Sequence, residues 1–216
     1  MRLLKKQLAP ALNQYRKPID MKNILLVLLF AGSIAVNIPS EAQLVAGLKG
    51  GANYAGLSEH DGKKIISFHG GAFIHTALNA KWHLQPELVY SSEGQKYTTT
   101  EMIDETEQQT ERTLTISYVT LPLMFQYFAS KNFIIEAGPQ LSIITGAKDK
   151  DANDKLNVKR SLTNTNFGLN AGMGVMISKQ VQVYARYCFG LTDVTRYDDD
   201  ADHSRVVQAG ILFRLK

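Results

Sequence analysis

From Gln43 to the end of the chain, apolar residues recur at every second position. In the first segment Leu44, Ala46, Leu48, Gly50, Ala52 and Tyr54 alternate with Val45, Gly47, Lys49, Gly51 and Asn53. A period of two places successive side chains on opposite faces, which is the signature of a strand with one apolar and one polar face. The same alternation returns around 66–79, 82–91, 133–143, 166–177, 181–191 and 207–215. Segment 113–128 changes phase: Leu114, Ile116 and Tyr118 fall on one parity, Val119, Leu121, Leu123, Phe125 and Tyr127 on the other. A bulge near Tyr118 to Pro122 would reconcile them. The pattern therefore predicts eight strands.

The connections alternate as well. Those after the second, fourth and sixth strands are tight, at 79–81, 129–132 and 178–180, whereas those after the first, third, fifth and seventh are longer and charged, covering roughly 57–64, 93–112, 146–164 and 193–205. Short and long ends in alternation describe an up-and-down meander with one plain rim and one decorated rim. Two closed architectures fit, and they place the apolar face on opposite sides. A soluble lipocalin-like lipid-binding barrel turns it inward, whereas a membrane barrel turns it to lipid and keeps a polar lumen. Here the polar set holds Lys49, His69, His75, His83, Glu87, Glu136, Gln140, Arg186 and Arg214 interleaved with glycine, a composition suited to a crowded lumen. Tyr54, Trp82, Tyr90, Phe133 and Tyr187 fall on the apolar phase towards segment ends, where an interfacial aromatic girdle belongs. The expected fold is all-β, an eight-stranded antiparallel up-and-down transmembrane β-barrel occupying residues 43–216.

The first 42 residues follow a different rule. Met21-Lys22-Asn23, the apolar run Ile24 to Ala35, Pro39 and the triplet Ser40-Glu41-Ala42 have the order of an export signal with its cleavage site. That run is shorter than the ~20 residues a spanning helix needs. Residues 21–42 thus read as a signal peptide cleaved before Gln43, and 1–20 as a non-native upstream extension from a mis-assigned start. This division also changes the meaning of the charge. The formal net charge is +4, but six of the 24 Lys and Arg and two of the 20 Asp and Glu precede Gln43, which leaves 18 of each afterwards. The remaining segment is neutral, so no nucleic-acid partner is expected. A single cysteine, Cys188, excludes an intrachain disulfide.

Little in the pattern suggests catalysis. His69, His75 and His83 with Ser67 and Ser91 are the only candidates for a nucleophile and base; they fall at different heights and read as polar lining. The run from Asp149 to Asp154 imitates the start of a calcium loop. It has Asp154 where the turn glycine belongs and Arg160 where a bidentate Glu belongs, so it reads as a solvated loop. Asp198, Asp199, Asp200 and Asp202 read likewise as an acidic loop tip. No enzyme activity, cofactor or metal is expected. The constellation with consequences is the set of lumen charges, Lys49, Glu87, Glu136, Arg186 and Arg214. Both signs in a narrow barrel imply ion pairs across the lumen, because a charge held away from water is costly unless paired.

Several stretches carry a resemblance. GLKGGANYAGLS, YVTLPLMFQYF, AGPQLSIITGA, NFGLNAGMGV and the closing QAGILFRLK resemble the PorT-like outer-membrane β-barrel family of gram-negative bacteria, over the whole of 43–216. The resemblance implies an eight-stranded barrel in the cell outer membrane. Gln208, Gly210, Phe213 and Leu215 resemble the terminal-strand signal read by the barrel assembly machinery, although the chain ends in Lys216 rather than an aromatic residue. The expected partners are outer-membrane lipid and lipopolysaccharide, the assembly machinery during insertion, and a protein met through the surface loops. The expected role is structural, adhesive or interactive at the cell envelope; the alternative is an accessory component of a protein secretion apparatus.

Overall fold

A computed structural model describes residues 44–57, 63–103, 106–150, 155–157, 165–192 and 204–215. The export-signal segment, the cluster at Asp198 to Asp202 and most of the calcium-loop imitation lie outside the described residues. The strands are β1 (Val45–Leu57), β2 (Lys63–Ala77), β3 (Trp82–Ile103), β4 (Thr106–Phe128), β5 (Phe133–Lys150), β6 (Lys155–Asn157), β7 (Thr165–Met176), β8 (Val181–Gly190) and β9 (Ser204–Arg214). Eight of them form a closed antiparallel ring, in the order β4-β3-β2-β1-β9-β8-β7-β5, sealed by pairing of β4 with β5. The remaining strand, β6, is a three-residue addition paired only with the end of β5, Lys148–Lys150. Closure leaves no unpaired strand edge in the ring.

The three tight connections share one device. Asn79 Oδ1 accepts from the backbone N–H of Lys81 and of Trp82, both at 2.9 Å. Ser130 Oγ does the same for Asn132 (3.4 Å) and Phe133 (3.1 Å), and Ser178 Oγ for Gln180 (3.2 Å) and Val181 (3.1 Å). A short polar side chain that accepts from the amides two and three residues ahead closes each turn without a long loop.

Two expectations are corrected. The stretch 93–112 is a continuation of the β3–β4 hairpin rather than a loop, with the ladder running to Ile103 opposite Thr106. The irregularity near Tyr118 lies in β5, because Ser117 pairs with Gly146 and Tyr118 with Ile144, leaving Thr145 as the extra residue. Thr145 Oγ1 donates to the Ser117 carbonyl at 3.1 Å across that step. β4 keeps its phase throughout, so Leu114, Ile116 and Tyr118 turn into the barrel along with Thr120, Met124 and Gln126. They meet Ile144 and Ala147 there, and this apolar packing removes any need for β4 to shift phase.

The faces are inverted relative to a water-soluble protein. Leu48, Phe68, Leu88, Ile135, Leu169, Val183 and Ile211 are exposed on the outside, while Asn53, His69, Gln85, Gln126 and Gln182 are buried inside. A contiguous apolar exterior of this extent requires a lipid-like surrounding. This is the opposite of the lipocalin arrangement.

Candidate functional site

Four charges meet at the centre of the lumen. From β8, the guanidinium of Arg186 donates from Nη1 and Nη2 to the two carboxylate oxygens of Glu87 on β3, each at 3.0 Å, and from Nε to Glu136 Oε1 on β5 at 2.9 Å. Lys49 on β1 donates to Glu87 Oε2 at 2.8 Å. Gln85 completes Glu87 and Gln126 completes Glu136, at 2.8 and 2.9 Å. Two cations and two anions balance, and their side chains are at most 1% exposed. Planar, bidentate Arg–carboxylate geometry is among the stronger charge-assisted arrangements, and full pairing offsets the cost of removing four charges from water.

Glycine makes these contacts reachable. Glu136 and Arg186 flank Gly172 in the ladder, and Lys49 stands opposite Gly71, beside Glu87. A Cβ at Gly172 would lie 2.6 Å from the Ala185 carbonyl oxygen and 3.2 Å from Arg186 Cβ; one at Gly71 would lie 2.1 Å from the Leu88 carbonyl oxygen. The missing side chains open the space through which the long charged ones cross, and only glycine tolerates strands that approach so closely.

Tyr184 and His69 brace the cluster. Lys49 Nζ sits 4.4 Å from the centroid of the Tyr184 ring, a cation–π contact, and the Tyr184 hydroxyl bonds His69 Nε2. His69 Nδ1 pairs with Asn53 Oδ1 at 2.6 Å, and Asn53 Nδ2 donates to Ser91 Oγ at 2.9 Å and to the Ser92 carbonyl at 2.8 Å. Tyr184, Asn53 and Gln126 were not among the sequence-predicted site residues. Their signal was shared parity with the charged positions, a parity that also carries buried apolar residues such as Phe73, against the Gly47 position, and Leu212.

Arg214 is not brought to the cluster. It lies towards the tight-turn rim, near the stacked rings of His75 and His83 (centroids 4.9 Å apart), and its Nε and Nη2 have no hydrogen-bond partner among the described residues. The separation is one of position along the strands, since Arg186 pairs with Gln208 on β9, well short of Arg214 on that same strand. Of the histidines considered for catalysis, His75 and His83 bond each other, while His69 stands opposite Ser91 in the ladder with Asn53 bridging the two, and Ser67 Oγ donates to the Ser92 carbonyl. Tyr54, Trp82, Tyr90, Phe133 and Tyr187 all face outward, and Tyr127, which sequence reasoning left out of the girdle, packs against Trp82 with the rings tilted at 51° and centroids 5.0 Å apart. Gln208 and Gly210 point inward, Phe213 and Leu215 outward.

The model of the outer membrane protein beta-barrel domain matches residues 39–196 of the sequence. Among solved structures, Neisserial surface protein A aligns with a TM-score of 0.50 at 13% identity, covering 82% of this chain and all (100%) of that one. The attachment invasion locus protein Ail of Yersinia pestis aligns at 0.47 and 10% identity, covering 79% of this chain and 98% of the other. OprG of Pseudomonas aeruginosa aligns at 0.40 and 10% identity, covering 80% and 94%. At such identities the likeness concerns the fold alone. No curated protein matches the sequence.

Proposed function

We infer that this chain, which belongs to the outer membrane protein beta-barrel domain family and is an outer-membrane β-barrel protein, is a non-enzymatic barrel whose lumen is filled by its own side chains. It acts through its surface-exposed end as a structural, adhesion or interaction protein of the envelope. The observation that carries this reading is the central cluster: Lys49, Glu87, Arg186 and Glu136 bind one another across the ring and leave no free charge in that layer to conduct an ion or bind a solute. An eight-stranded ring is only just wide enough for side chains to fill. His69 and Ser91, neighbours across the ladder, are both engaged by Asn53, which supports their reading as polar lining.

Within the family we place the chain with the PorT-like barrels, on the stretches GLKGGANYAGLS, NFGLNAGMGV and QAGILFRLK. Its maturation follows from the same reading. Residues 21–42 direct export and are removed before Gln43, and Gln208, Gly210, Phe213 and Leu215 present the last strand to the assembly machinery. Outer-membrane lipid and lipopolysaccharide then surround the apolar exterior.

Planar-bilayer recording tests the central claim. The wild-type protein should show no large, steady conductance, and porin-sized steps would refute the filled lumen. Intact mass of the exported protein should place its N-terminus at Gln43; retention of 21–42 would overturn the processing.

A further inference from the structure

Away from the charged cluster, towards the end that carries the long hairpin, the lumen holds a third carboxylate in a different setting. Glu93 Oε2 accepts from Ser204 Oγ at 2.8 Å and Oε1 from Ser91 Oγ at a longer 3.4 Å, and no cation among the described residues pairs with it. Glu93 lines a cavity with room for about one water molecule, together with Tyr118, Gln140, Ser142, Asn166 and Asn170. Two carbonyl acceptors of that cavity, Asn166 Oδ1 and Asn170 Oδ1, are buried without a hydrogen-bond partner, on residues 7% and 2% exposed. Asn170 lies in a chain of side-chain hydrogen bonds. Its Nδ2 donates to Gln140 Oε1 at 3.0 Å, and Gln140 Nε2 donates to Ser142 Oγ at 2.9 Å, which leaves Oδ1 over.

A half-buried carboxylate held by two hydroxyls favours a counter-charge, and the unpartnered carbonyl oxygens beside it call for something positive rather than another acceptor. Oxygen donors of this kind suit hard cations. A single carboxylate balances one positive charge, and a space of water size fits a small ion stripped of its hydration shell. We propose that this cavity binds a monovalent cation, sodium by its size, held by the Glu93 carboxylate and by Asn166 Oδ1 and Asn170 Oδ1. Glu93 lies on β3, the asparagines on β7 and the supporting Ser204 on β9. A bound ion would therefore tie together strands that are not neighbours in the ring.

The test uses the exported protein purified in zwitterionic detergent, with thermal unfolding followed by heat-modifiable gel mobility at fixed pH and ionic strength. Exchange of choline chloride for sodium chloride should raise the midpoint in a saturable way, as ligand binding to the folded state requires. Sodium-23 resonances should broaden in the presence of the protein. Glu93→Gln should abolish both effects. Asn166→Leu, which keeps the carboxylate, should raise the sodium concentration at half-effect by roughly tenfold, a loss of about 1.4 kcal/mol. Equal midpoints in the two salts, or a sodium response unchanged in both variants, would overturn the proposal. A response confined to calcium chloride would overturn the monovalent assignment.

Discussion

The middle of the lumen and its hairpin end are both lined by inward-facing side chains, the first from β1, β3, β5 and β8 and the second from β4 and β5, yet they are packed by opposite means. In the middle, Lys49, Glu87, Arg186 and Glu136 close the ring with ion pairs at 2.8 to 3.0 Å. At the hairpin end, Ile116, Tyr118, Ile144 and Ala147 close it as a small apolar core, with Leu114 packed against them. The charged layer depends on glycine: where Gly71 and Gly172 leave side chains out, long charged residues reach across the gap. In the apolar layer, volume fills the space directly, and β5 accommodates it with an extra residue at Thr145. A charged layer specifies which groups must meet and penalises every wrong pairing, whereas an apolar layer tolerates repacking of similar volume.

The largest effect should come from breaking the charged layer at its hub. Glu87→Ala removes the carboxylate shared by Lys49 and Arg186, and should destabilise by ~3–5 kcal/mol in denaturant unfolding because buried Lys49 loses its partner and Arg186 keeps only Glu136. The same variant should show flickering conductance in a planar bilayer; wild-type stability and silence together would show that the ion pairs do not close the lumen. Ile116→Ala, the matching cut in the apolar layer, should cost ~2–4 kcal/mol through transfer and cavity terms. It should leave conductance unchanged, and open steps in this variant would transfer the closing role to the hairpin end.

Smaller effects sharpen the contrast. In a double-mutant cycle, Glu136→Ala and Arg186→Ala should couple by ~1–3 kcal/mol, as expected for groups in direct contact. Strict additivity would dissolve the network into separate contacts. The smallest change belongs to Arg214→Gln: its Nε and Nη2 make no hydrogen bond among the described residues, so unfolding should shift by no more than ~0.5 kcal/mol. A loss comparable to that of Arg186→Ala would mean that Arg214 belongs to the charged layer after all.

The sequence by itself determined the faces. A strand has a side-chain period of two, so Lys49, Glu87, Glu136 and Arg186 had to share one side with the glycines, and Leu48, Leu88, Val183 and Ile211 the other. The tight turns were equally legible, because Asn79, Ser130 and Ser178 carry the acceptor that closes each of them locally. Tertiary structure decided what parity cannot express, namely height along the barrel and the neighbour across it. Register sets Arg186 against two glutamates and leaves Arg214 apart near the rim, although both are inward arginines on adjacent strands. Register also turns the misphased Leu114, Ile116 and Tyr118 inward rather than forcing a bulge in β4, since the space they fill is bounded by Ile144 and Ala147 of β5. Alternation is a property of one strand, and it is legible wherever that strand is. Closure of the ring fixes stagger between strands distant in sequence, and only that stagger chooses which inward groups touch.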